Sequence, residues 1–565
     1  MTHADLTQHA RPGLTVVIPT RNRTDRLIAC LQSLASQSSE PHHFEVVVVD
    51  DGSAVSAEDA IAELRLPYTV RHLAQEHAGA GAARNRGALE ASGRILLFLD
   101  DDMTADPQLV AEHLGLHRAQ EGVVGLGRIA LRPSGRLDRF GREFLKVRAR
   151  HYARLDAGLE PKFVDCYSGN LSVERATFLT LGGFATALPR EEDVELGYRF
   201  RTAGQRLVYL PGALSTENRT VGFRKITRDA ETEGLASVEL LRRHHGALPF
   251  LTLGAFDSAR MREILLRRLF LLFRLPVGAL RIFDVLLARG SLAAPWYQFV
   301  LRYAYWRGVL RAVGPGDSWR RLTRGTLILM YHAVGSDGER ASEYIVPRRQ
   351  FARQLAWIKR RSYPVISLKE ITARHQDNGL PPGGSLVVTF DDGYRDFLTA
   401  AYPLLAEQGL PATIFLVTDL MGRTNCWDEG TELAGRPLLS WDAVRRIGQV
   451  GGIAVGSHTR THASLPSMSA HGARDEVAGS RREIEQELGQ AAEIFAYPYG
   501  HTSATTRSVV KEAGFSAACG TRAGRNCAAT DPFDLRRLHV DGRWGLARFV
   551  LALWLGFDLF ARWRR

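Results

Sequence analysis

Two histidines and a pair of aspartates provide the residue types of a catalytic metal site. In the segment GSHTRTH, His458 and His462 stand at i and i+4. In VVTFDDG, an apolar run ends on Asp391 and Asp392. Two imidazoles and one carboxylate give three ligands with an open position for water, as in a catalytic Zn²⁺ site. The spare aspartate, Asp391, would then be the base, and the alternative is a structural or solvent-facing histidine pair.

Acidic residues also follow two predicted strands of the N-terminal half. Asp50 and Asp51 end one apolar run, and Asp100, Asp101 and Asp102 end another. Adjacent carboxylates repel one another unless a cation joins them, and hard divalent ions bridge carboxylates to phosphate oxygens. The two clusters therefore predict a site where a divalent metal ion joins the carboxylates to the phosphate group of a ligand. The alternative for either cluster alone is a solvated acidic turn or a helix cap.

A third acidic pair opens a helical pattern. In LPREEDVELGYRFRTAG, Glu192 and Asp193 stand near the start of the predicted helix. A carboxylate at this place suits a general base that takes a proton from an attacking hydroxyl. It equally suits an N-terminal charge that favours the helix dipole, so the residues alone leave both roles open.

The elements that must position these residues repeat a strand–helix pattern. Residues 14–19, 44–53 and 94–102 are near-continuous β-rich runs, typical of parallel strands buried on both faces. Helix-length segments lie between them, at 24–36 and 81–92. Ligands of open α/β sheets bind at the carboxyl ends of the strands, where the acidic clusters lie. A second strand–helix series in the C-terminal half indicates a barrel with its site at the strand C-termini.

The segment between the two series is helical, leucine-rich and basic. Residues 255–325 contain thirteen arginines, no lysine and four acidic residues, a net charge of +9 within the chain's +12. An arginine-rich amphipathic stretch suits the face of an anionic membrane. The alternative is a helical linker that packs both domains together, with arginine stems covering apolar surface. Residues 546–565 form a second, short basic amphipathic segment, and no charge-free apolar run is long enough to predict a spanning helix.

Composition narrows the class of protein. The chain has 565 residues, 45% hydrophobic and 24% charged, which is ordinary globular composition and long enough for at least two domains. Its five cysteines are scattered without a C-x-x-C pair, which indicates a reducing compartment. The first residues lack the apolar core of a secretory signal, so we expect a cytoplasmic protein. Nucleic-acid binding is disfavoured, because the basic residues concentrate in leucine-rich helices without stacking aromatics.

The N-terminal motifs form an ordered set: VVIPTRNR, VVVVDDGS, GAARNRGALEASG, FLDDD, SGNLSVER, GGF and EEDVELGYR. Over residues 13–235 this set resembles the family 2 glycosyltransferases of the GT-A fold. The resemblance implies a Rossmann-like nucleotide-sugar domain, an inverting transfer and a Mg²⁺ or Mn²⁺ ion. It assigns the metal to Asp102, the substrate to Glu192 and the role of base to Asp193. The residues that it implies for binding the nucleotide-sugar donor are Pro19, Asp50, Asp51, Arg84, Asp100 and Asp101.

Two departures from that family's pattern qualify the expectation. The sequence has neither the Q-x-x-R-W motif nor the membrane spans of processive relatives, so we predict single or limited transfer rather than polymerisation. The stretch PGALSTENRT (211–220) also lacks the histidine that many relatives carry. A third metal ligand is therefore left open, with His244 or His245 as distant substitutes.

The C-terminal motifs are LMYHAV, TFDDG, SHTRTH and YPYG. Over residues 324–545 they resemble the polysaccharide deacetylases of the NodB-homology family, which have a distorted (β/α) barrel. The resemblance implies Zn²⁺ or another divalent metal on Asp392, His458 and His462, with Asp391 as the base. It further implies the backbone N–H of Tyr499 for the oxyanion, Tyr331 and His332 lining the site, Trp441 as a sugar-binding wall, and His539 as the general acid.

The deacetylase resemblance has its own departures. The arginine that often orients the base, in the pattern R-x-P-Y-G, is replaced by Ala496, and Arg536 or Arg537 is the candidate substitute. The motif around His539 matches loosely, so a core histidine is the alternative there.

The whole chain predicts a bifunctional enzyme of glycan or glycoconjugate assembly, cytoplasmic and peripheral on the inner membrane face. One domain would transfer a sugar from a nucleotide-sugar donor to a glycan or lipid-linked acceptor. The other would hydrolyse an N-acetyl group, in preference to an O-acetyl group. The predicted ranges are 13–235 for the glycosyltransferase, 236–323 for a basic helical connector, 324–545 for the deacetylase and 546–565 for the tail. The rival hypothesis is an active transferase with a silent deacetylase-like docking module.

Overall fold

The protein was analysed as a computed structural model, which describes residues 12–559 except 136, 189, 257–260, 284–292, 337, 377–383 and 528–529. Contacts divide the chain into two compact units. Unit 1 comprises Met1–Arg243 with Leu266–Ala312, and unit 2 comprises His244–Leu265 with Val313–Arg565. Parts of the predicted connector and tail, at 257–260, 284–292 and 560–565, lie outside the described residues. The four predicted domain ranges stay predictions.

Unit 1 is built on an eight-stranded sheet in the order β3-β2-β1-β4-β7-β6-β8-β5. Its strands are β1 (Leu14–Thr20), β2 (Phe44–Asp51), β3 (Thr69–Gln75), β4 (Ile95–Leu99), β5 (Met103–Ala105), β6 (Val123–Pro133), β7 (Asn170–Glu174) and β8 (Arg206–Arg219). The first four strands are mutually parallel, and β7 runs antiparallel to β4 and β6. The predicted α/β architecture of this half is confirmed.

Helices cover both faces of that sheet. They are α1 (Thr24–Leu34), α2 (Glu58–Ala62), α3 (Ala80–Glu90), α4 (Leu109–Ala119), α5 (Arg139–Asp156), α6 (Arg175–Thr180), α7 (Glu192–Thr202) and α8 (Phe223–Arg243). The strands β1, β2 and β4 are buried at every position, which explains their unbroken apolar sequence. Because α3 begins beyond the carboxyl ends of these strands, it brings Arg84 to the acidic clusters.

A glycine allows α3 to lie close against the sheet. A Cβ atom at Gly87 would lie 2.4 Å from Val17 Cγ1 and 3.2 Å from Val49 Cγ2. No larger residue fits that distance without moving the helix. The small side chains of GAARNRGALEASG therefore set the depth at which Arg84 is buried.

Unit 2 is built on a seven-stranded, wholly parallel sheet in the order β16-β15-β14-β13-β12-β9-β17. These strands are β9 (Leu327–Tyr331), β12 (Leu386–Phe390), β13 (Ala412–Leu416), β14 (Ile453–Ser457), β15 (Ile494–Ala496), β16 (Ala517–Cys519) and β17 (Arg537–His539). A short pair, β10 (Ala333–Gly335) and β11 (Ile345–Pro347), lies beside it. This curled parallel sheet fits the predicted distorted barrel, and its carboxyl ends carry Asp391, Asp392 and His458.

The remaining helices follow in chain order. They are α9 (Met261–Leu272), α10 (Ala293–Val313), α11 (Asp317–Thr323), α12 (Arg348–Arg360), α13 (Leu368–Gln376), α14 (Tyr402–Gln408), α15 (Trp441–Val450), α16 (Ala470–Leu488), α17 (Ala504–Glu512) and α18 (Leu546–Leu555). Among the described residues, no helix combines the length and the hydropathy that crossing a bilayer requires.

One helix of the basic segment packs within unit 1. Helix α10 crosses α8 at two glycines, since a Cβ at Gly234 would lie 2.0 Å from the Tyr305 carbonyl oxygen and one at Gly308 would lie 1.9 Å from that of Glu231. Arg311 also pairs with Glu231 at 2.8 Å. In this part of the segment an arginine-bearing helix packs against a helix of its own unit, while packing of both domains by the segment stays a prediction.

Two helical glycines test that crossing as a matched pair. Gly234→Ala should destabilise unit 1 by roughly 1–3 kcal/mol, because its methyl group has no room against α10. Gly115→Ala, at a helical glycine with open space around it, should be neutral or stabilising by up to about 1 kcal/mol. Thermal and urea unfolding of both variants measure the difference, and equal effects would contradict the crossing.

Candidate active sites

Three candidate metal ligands meet at the carboxyl ends of β12 and β14. Asp392 Oδ1 lies 3.4 Å from His458 Nε2 and 3.3 Å from His462 Nε2. All three side chains are buried, and their ligand atoms lie within 4.8 Å of one another. Two ligands that are each about 2.1 Å from a tetrahedral ion are roughly 3.4 Å apart. The spacing therefore fits a divalent cation such as Zn²⁺.

The polar atoms of this triad are arranged for a cation. Asp392 Oδ1 is buried without a hydrogen-bond partner among the described residues, a costly state that a metal would relieve. Burial alone would raise the pKa of Asp392, but His458 and His462 outweigh it and hold that pKa well below its usual range. The His458 Nδ1–H donates to the carbonyl of Ala496 at 2.8 Å, which leaves Nε2 as the nitrogen that faces Asp392 and could bind a cation.

The candidate base has a fully buried partner. Arg537 Nη1 and Nη2 donate to the two carboxylate oxygens of Asp391 at 2.6 and 2.8 Å. Burial tends to raise the pKa of Asp391, and Arg537 more than reverses that effect, so the carboxylate stays ionised. Of the two arginines that the sequence left open, Arg537 makes this contact, whereas the backbone of Arg536 pairs with the side chain of Asn526.

Two further histidines lie beside the base. The rings of His332 and His539 are 5.5 Å apart, and Tyr344 lies 4.9 Å from the first and 5.3 Å from the second. Burial and the neighbouring His332 lower the pKa of His539 to about 3, so its imidazole is neutral at pH 7. The expectation that Tyr331 lines the site is wrong. Its ring lies in the core, where the hydroxyl donates to Gln354 Oε1 at 2.9 Å.

Aromatic rings enclose the metal triad. Trp427, which the sequence reasoning missed, stacks on His462 at 4.3 Å between ring centroids, and the Tyr499 ring meets the same imidazole edge-on at 4.8 Å. Asp428 fixes the Trp427 segment by accepting hydrogen bonds from Tyr394 and Asn425, both at 2.8 Å. Trp441, the tryptophan selected from the sequence, instead packs against two hydrophobic core clusters at the start of α15.

Backbone strain concentrates at the same place. Non-glycine residues rarely adopt the left-handed region because the Cβ crowds the backbone there, at a cost of roughly 1–2 kcal/mol each. Half of the eight described residues of this kind surround the triad: Asp392, Thr459, His462 and Tyr499, with φ between 58° and 71°. Strain of this kind is typical of functional sites, where the fold holds a side chain or an N–H in one required direction.

In unit 1 a buried arginine joins two of the predicted acidic groups. Arg84 donates to Asp100 Oδ1 at 2.5 Å and to Glu192 Oε1 at 2.9 Å. Asp193 accepts a hydrogen bond from the backbone N–H of Ser168 at 3.1 Å. Burial and the adjacent Glu192 raise the pKa of Asp193 to about 6, the range of a general base that works near neutral pH.

The rest of the acidic motif faces basic groups and one more carboxylate. Asp101 accepts from Thr20 at 2.9 Å and from Arg23 at 3.1 Å. Burial, Asp100 and then Glu217 raise the pKa of Asp102 to about 6.

Glu217 is a candidate site residue that the sequence reasoning missed. It lies in the stretch without a histidine, where β8 pairs with β5 and sets Glu217 opposite Met103. A carboxylate there supplies the kind of oxygen ligand that a hard divalent ion prefers. The distant substitutes His244 and His245 both belong to unit 2.

Asp51, of the first acidic pair, binds the loop that precedes α3. Asp51 accepts four hydrogen bonds, from Gln75 Nε2, His77 Nδ1 and the backbone N–H groups of Ala78 and Gly79, at 2.8–2.9 Å. These donors outweigh burial and lower the pKa of Asp51. Asp50 accepts from the Ser53 N–H at 2.8 Å, and Pro19 lies in β1 opposite Val49. Contact of these three residues with a nucleotide stays a prediction.

Comparison with known proteins assigns the two halves to different families. The family model described as glycosyl transferase family 2 matches residues 15–178, and the model described as polysaccharide deacetylase matches residues 378–518.

Individual relatives follow the same division. Validoxylamine A glucosyltransferase of Streptomyces hygroscopicus subsp. jinggangensis (strain 5008) is 30% identical over 289 residues, 44% of this chain and 67% of that protein. YxkH of Bacillus subtilis (strain 168), named for the deacetylase family, is 26% identical over 213 residues, 38% of this chain and 70% of that protein. Poly-beta-1,6-N-acetyl-D-glucosamine N-deacetylase of Staphylococcus aureus (strain MRSA252) is 23% identical over 205 residues, 35% of this chain and 68% of that protein.

The metal triad can be tested without any assay of activity. Zinc titration of the metal-stripped protein, followed by calorimetry and elemental analysis, should give one tight site that His462→Ala weakens at least about tenfold. His471→Ala, at an exposed histidine at the start of α16, is the matched control and should leave the site unchanged. Equal zinc binding by all three proteins would contradict the triad.

Proposed function

We propose that this chain, which belongs to the family 2 glycosyltransferases through its N-terminal half and carries a polysaccharide deacetylase domain in its C-terminal half, is a bifunctional enzyme of glycan assembly. Unit 1 transfers a sugar from a nucleotide-sugar donor with inversion. Unit 2 hydrolyses an N-acetyl group from a sugar. The acceptor is a glycan or a lipid-linked glycan at an anionic membrane surface.

The deacetylation step follows from the groups around the triad. Asp392, His458 and His462 would hold a divalent cation, which would supply Lewis-acid chemistry at the amide carbonyl and at the attacking water. Asp391 takes the proton of the attacking water, and the N–H of Tyr499 donates to the oxyanion. His539, which is neutral at pH 7, would relay a proton taken from Asp391 or from solvent to the leaving amine as the C–N bond breaks. Trp427 and Tyr499 offer aromatic faces to the sugar ring.

The bidentate Arg537–Asp391 pair is the observation that favours an active deacetylase over a silent docking module. The replacement of the family's arginine by Ala496 raised that rival hypothesis. Here the arginine comes from a different strand, and the Ala496 carbonyl still orients His458. A module that only docked would not need to bury a charged pair next to the triad, since burying charges costs free energy.

The transfer step rests on the carboxylates around Arg84. Asp193 removes the proton from the acceptor hydroxyl as that oxygen attacks the anomeric carbon. Asp102, with Glu217 as a candidate second oxygen ligand, would hold a Mg²⁺ or Mn²⁺ ion, which would supply positive charge to the departing diphosphate. Arg84 donates to both Asp100 and Glu192 and so holds the two carboxylates in place.

The two reactions suit one chain. A transferase that adds an N-acetylated sugar creates the amide that the deacetylase hydrolyses. The N-deacetylase named among the relatives supports N-acetyl as the group removed, and the glucosyltransferase named there supports a hexose donor. We place the enzyme in the cytoplasm, on the inner face of the membrane, where nucleotide sugars meet lipid-linked acceptors.

A panel of sugar nucleotides with Mn²⁺ tests the coupled proposal. Released nucleotide and released acetate are measured together for the wild type, Asp193→Asn and Asp391→Asn. We expect an N-acetylhexosamine donor to give both products, with Asp193→Asn losing nucleotide release and Asp391→Asn losing acetate alone, each by at least about 10²-fold. Transfer without acetate under any divalent metal would leave the silent-module hypothesis.

Variants of Arg537 and of its neighbour Arg536 test whether the specific pairing with Asp391, rather than positive charge in general, supports deacetylation. Arg537→Met should lower acetate release by roughly 10²-fold and move the acidic limb of the pH profile upward, because the arginine holds the pKa of Asp391 down. Arg536→Met should change neither quantity. An unshifted pH limb in a folded Arg537→Met protein would refute the assignment.

The pH dependence of transfer tests Asp193. Because the base must be ionised and the pKa of Asp193 is raised to about 6, transfer should rise through about pH 6 and level off above it. Glu192→Gln should move that limb to lower pH, since Glu192 contributes to raising this pKa. A limb that moves upward or stays in place in this variant would contradict the assignment.

A further inference from the structure

Large apolar side chains are exposed together on one short stretch of unit 1. Of the fifteen exposed large hydrophobic residues described, six fall between residues 266 and 283: Leu266, Leu269, Leu272, Phe273, Ile282 and Phe283. Leu272, Phe273 and Ile282 are 76%, 66% and 73% exposed. Scattered apolar residues are normal on a surface, but a contiguous set of this kind marks an interaction site. We call these six residues the apolar patch.

The residues of the patch follow the periodicity of an amphipathic helix. Leu266, Leu269 and Phe273 recur at helical spacing along the exposed face of α9 and the turn that ends it, whereas Leu271 on the other face is buried. After the turn, Leu280 is also buried. The element is thus anchored on one side and presents leucine and phenylalanine on the other.

The charge around the patch selects the occupant. Arg274 and Arg281 are exposed beside the apolar residues. Residues 266–312, the part of the basic segment that belongs to unit 1, contain eight arginines and one acidic residue, a net charge of +7. Apolar side chains flanked by arginine suit a surface that offers acyl chains beneath anionic headgroups. A second copy of this chain would bring the same positive charge to the interface, which like-charge repulsion disfavours.

We propose that the apolar patch, with Arg274 and Arg281, docks the enzyme on anionic lipid bilayers. Leu272, Phe273 and Ile282 insert among the acyl chains near the headgroups, and the two guanidinium groups pair with lipid phosphates. Helix α9 then lies along the surface without crossing it. This inference deepens the membrane contact of the proposed function, and it does not depend on the chemistry of either active site.

Vesicle sedimentation with the full chain tests the proposal. The wild type should sediment with vesicles of phosphatidylglycerol and phosphatidylcholine, and less with phosphatidylcholine alone. Leu272→Glu with Phe273→Glu should lower the partition coefficient at least about tenfold. The matched control is Val55→Glu with Leu89→Glu, at apolar residues of unit 1 that are 77% and 61% exposed, and it should bind like the wild type.

The arginines have their own variants. Arg274→Glu with Arg281→Glu should weaken binding to anionic vesicles at least about tenfold and flatten its dependence on salt, while the exposed pair Arg65→Glu with Arg118→Glu serves as the charge-matched control. Circular dichroism establishes that each variant is folded. Equal loss in the control pair would mean general charge attraction and would overturn the docking role of these two arginines.

Other outcomes also decide against the patch. Wild-type protein that ignores anionic vesicles overturns the proposal. Sedimentation velocity that finds a dimer, lost on Leu272→Glu with Phe273→Glu, would assign the patch to a second copy instead. Turnover of a soluble donor, measured on the same variants, should stay unchanged. A failed vesicle experiment with intact turnover therefore refutes the docking surface and leaves the proposed function in place.

Discussion

A buried ion pair, Arg537 with Asp391, is the constraint on which the site of unit 2 depends. Both side chains lie out of contact with water, so each charge is tolerable only because the other is held against it in a bidentate geometry. Removing one partner of such a pair costs roughly 3–5 kcal/mol, because it leaves an unpaired charge in the interior. The position of the Asp391 carboxylate, the candidate base, is therefore fixed by electrostatics as well as by packing.

The strand order makes that pair possible. Strand β9 lies between β12 and β17, and its residue Ile328 pairs with Arg537 on one side and with Val387 on the other. From that position the guanidinium of Arg537 reaches Asp391, which lies 146 positions earlier in the chain. Arg537 Nε also donates to the Gly520 carbonyl at 2.8 Å, so the guanidinium is held from two sides. Unit 1 uses the same device on a different sheet, where Arg84 fixes Asp100 and Glu192. Asp193, next to that pair but outside it, keeps the raised pKa that a base needs.

Local pattern predicted the parts of the structure that depend on neighbouring residues. The predicted strands 14–19 and 44–53 match β1 and β2 within a few residues. Parallel strands that are buried on both faces have nearly unbroken apolar sequences, which makes them easy to recognise. The histidine pair and the aspartates at strand ends were equally visible, since each is set by short spacing. The family resemblance added the roles of these residues, which stay proposals.

The residues that escaped prediction all reach their places through long-range contacts. Trp427 sits in a loop with no motif and meets His462 only because Asp428, Tyr394 and Asn425 hold that loop. Glu217 faces the acidic motif because β8 pairs with β5. No short sequence motif predicts that these two strands pair. The choice between Arg536 and Arg537 turns on one residue of register in β17. The spacing of residues along the sequence predicts neither these long-range contacts nor the strand register.

The basic segment shows how one composition can serve two physical purposes. Its net positive charge left a membrane face and a packed linker equally open, and the structure divides these alternatives along the chain. Helix α10 uses its surface for packing, with the backbones of α8 and α10 in contact at Gly234 and Gly308. Helix α9 and the turn after it leave leucine and phenylalanine in water, which costs free energy that a lipid surface would recover. Arginine suits both settings, because its stem covers apolar neighbours while its guanidinium binds either a carboxylate or a phosphate.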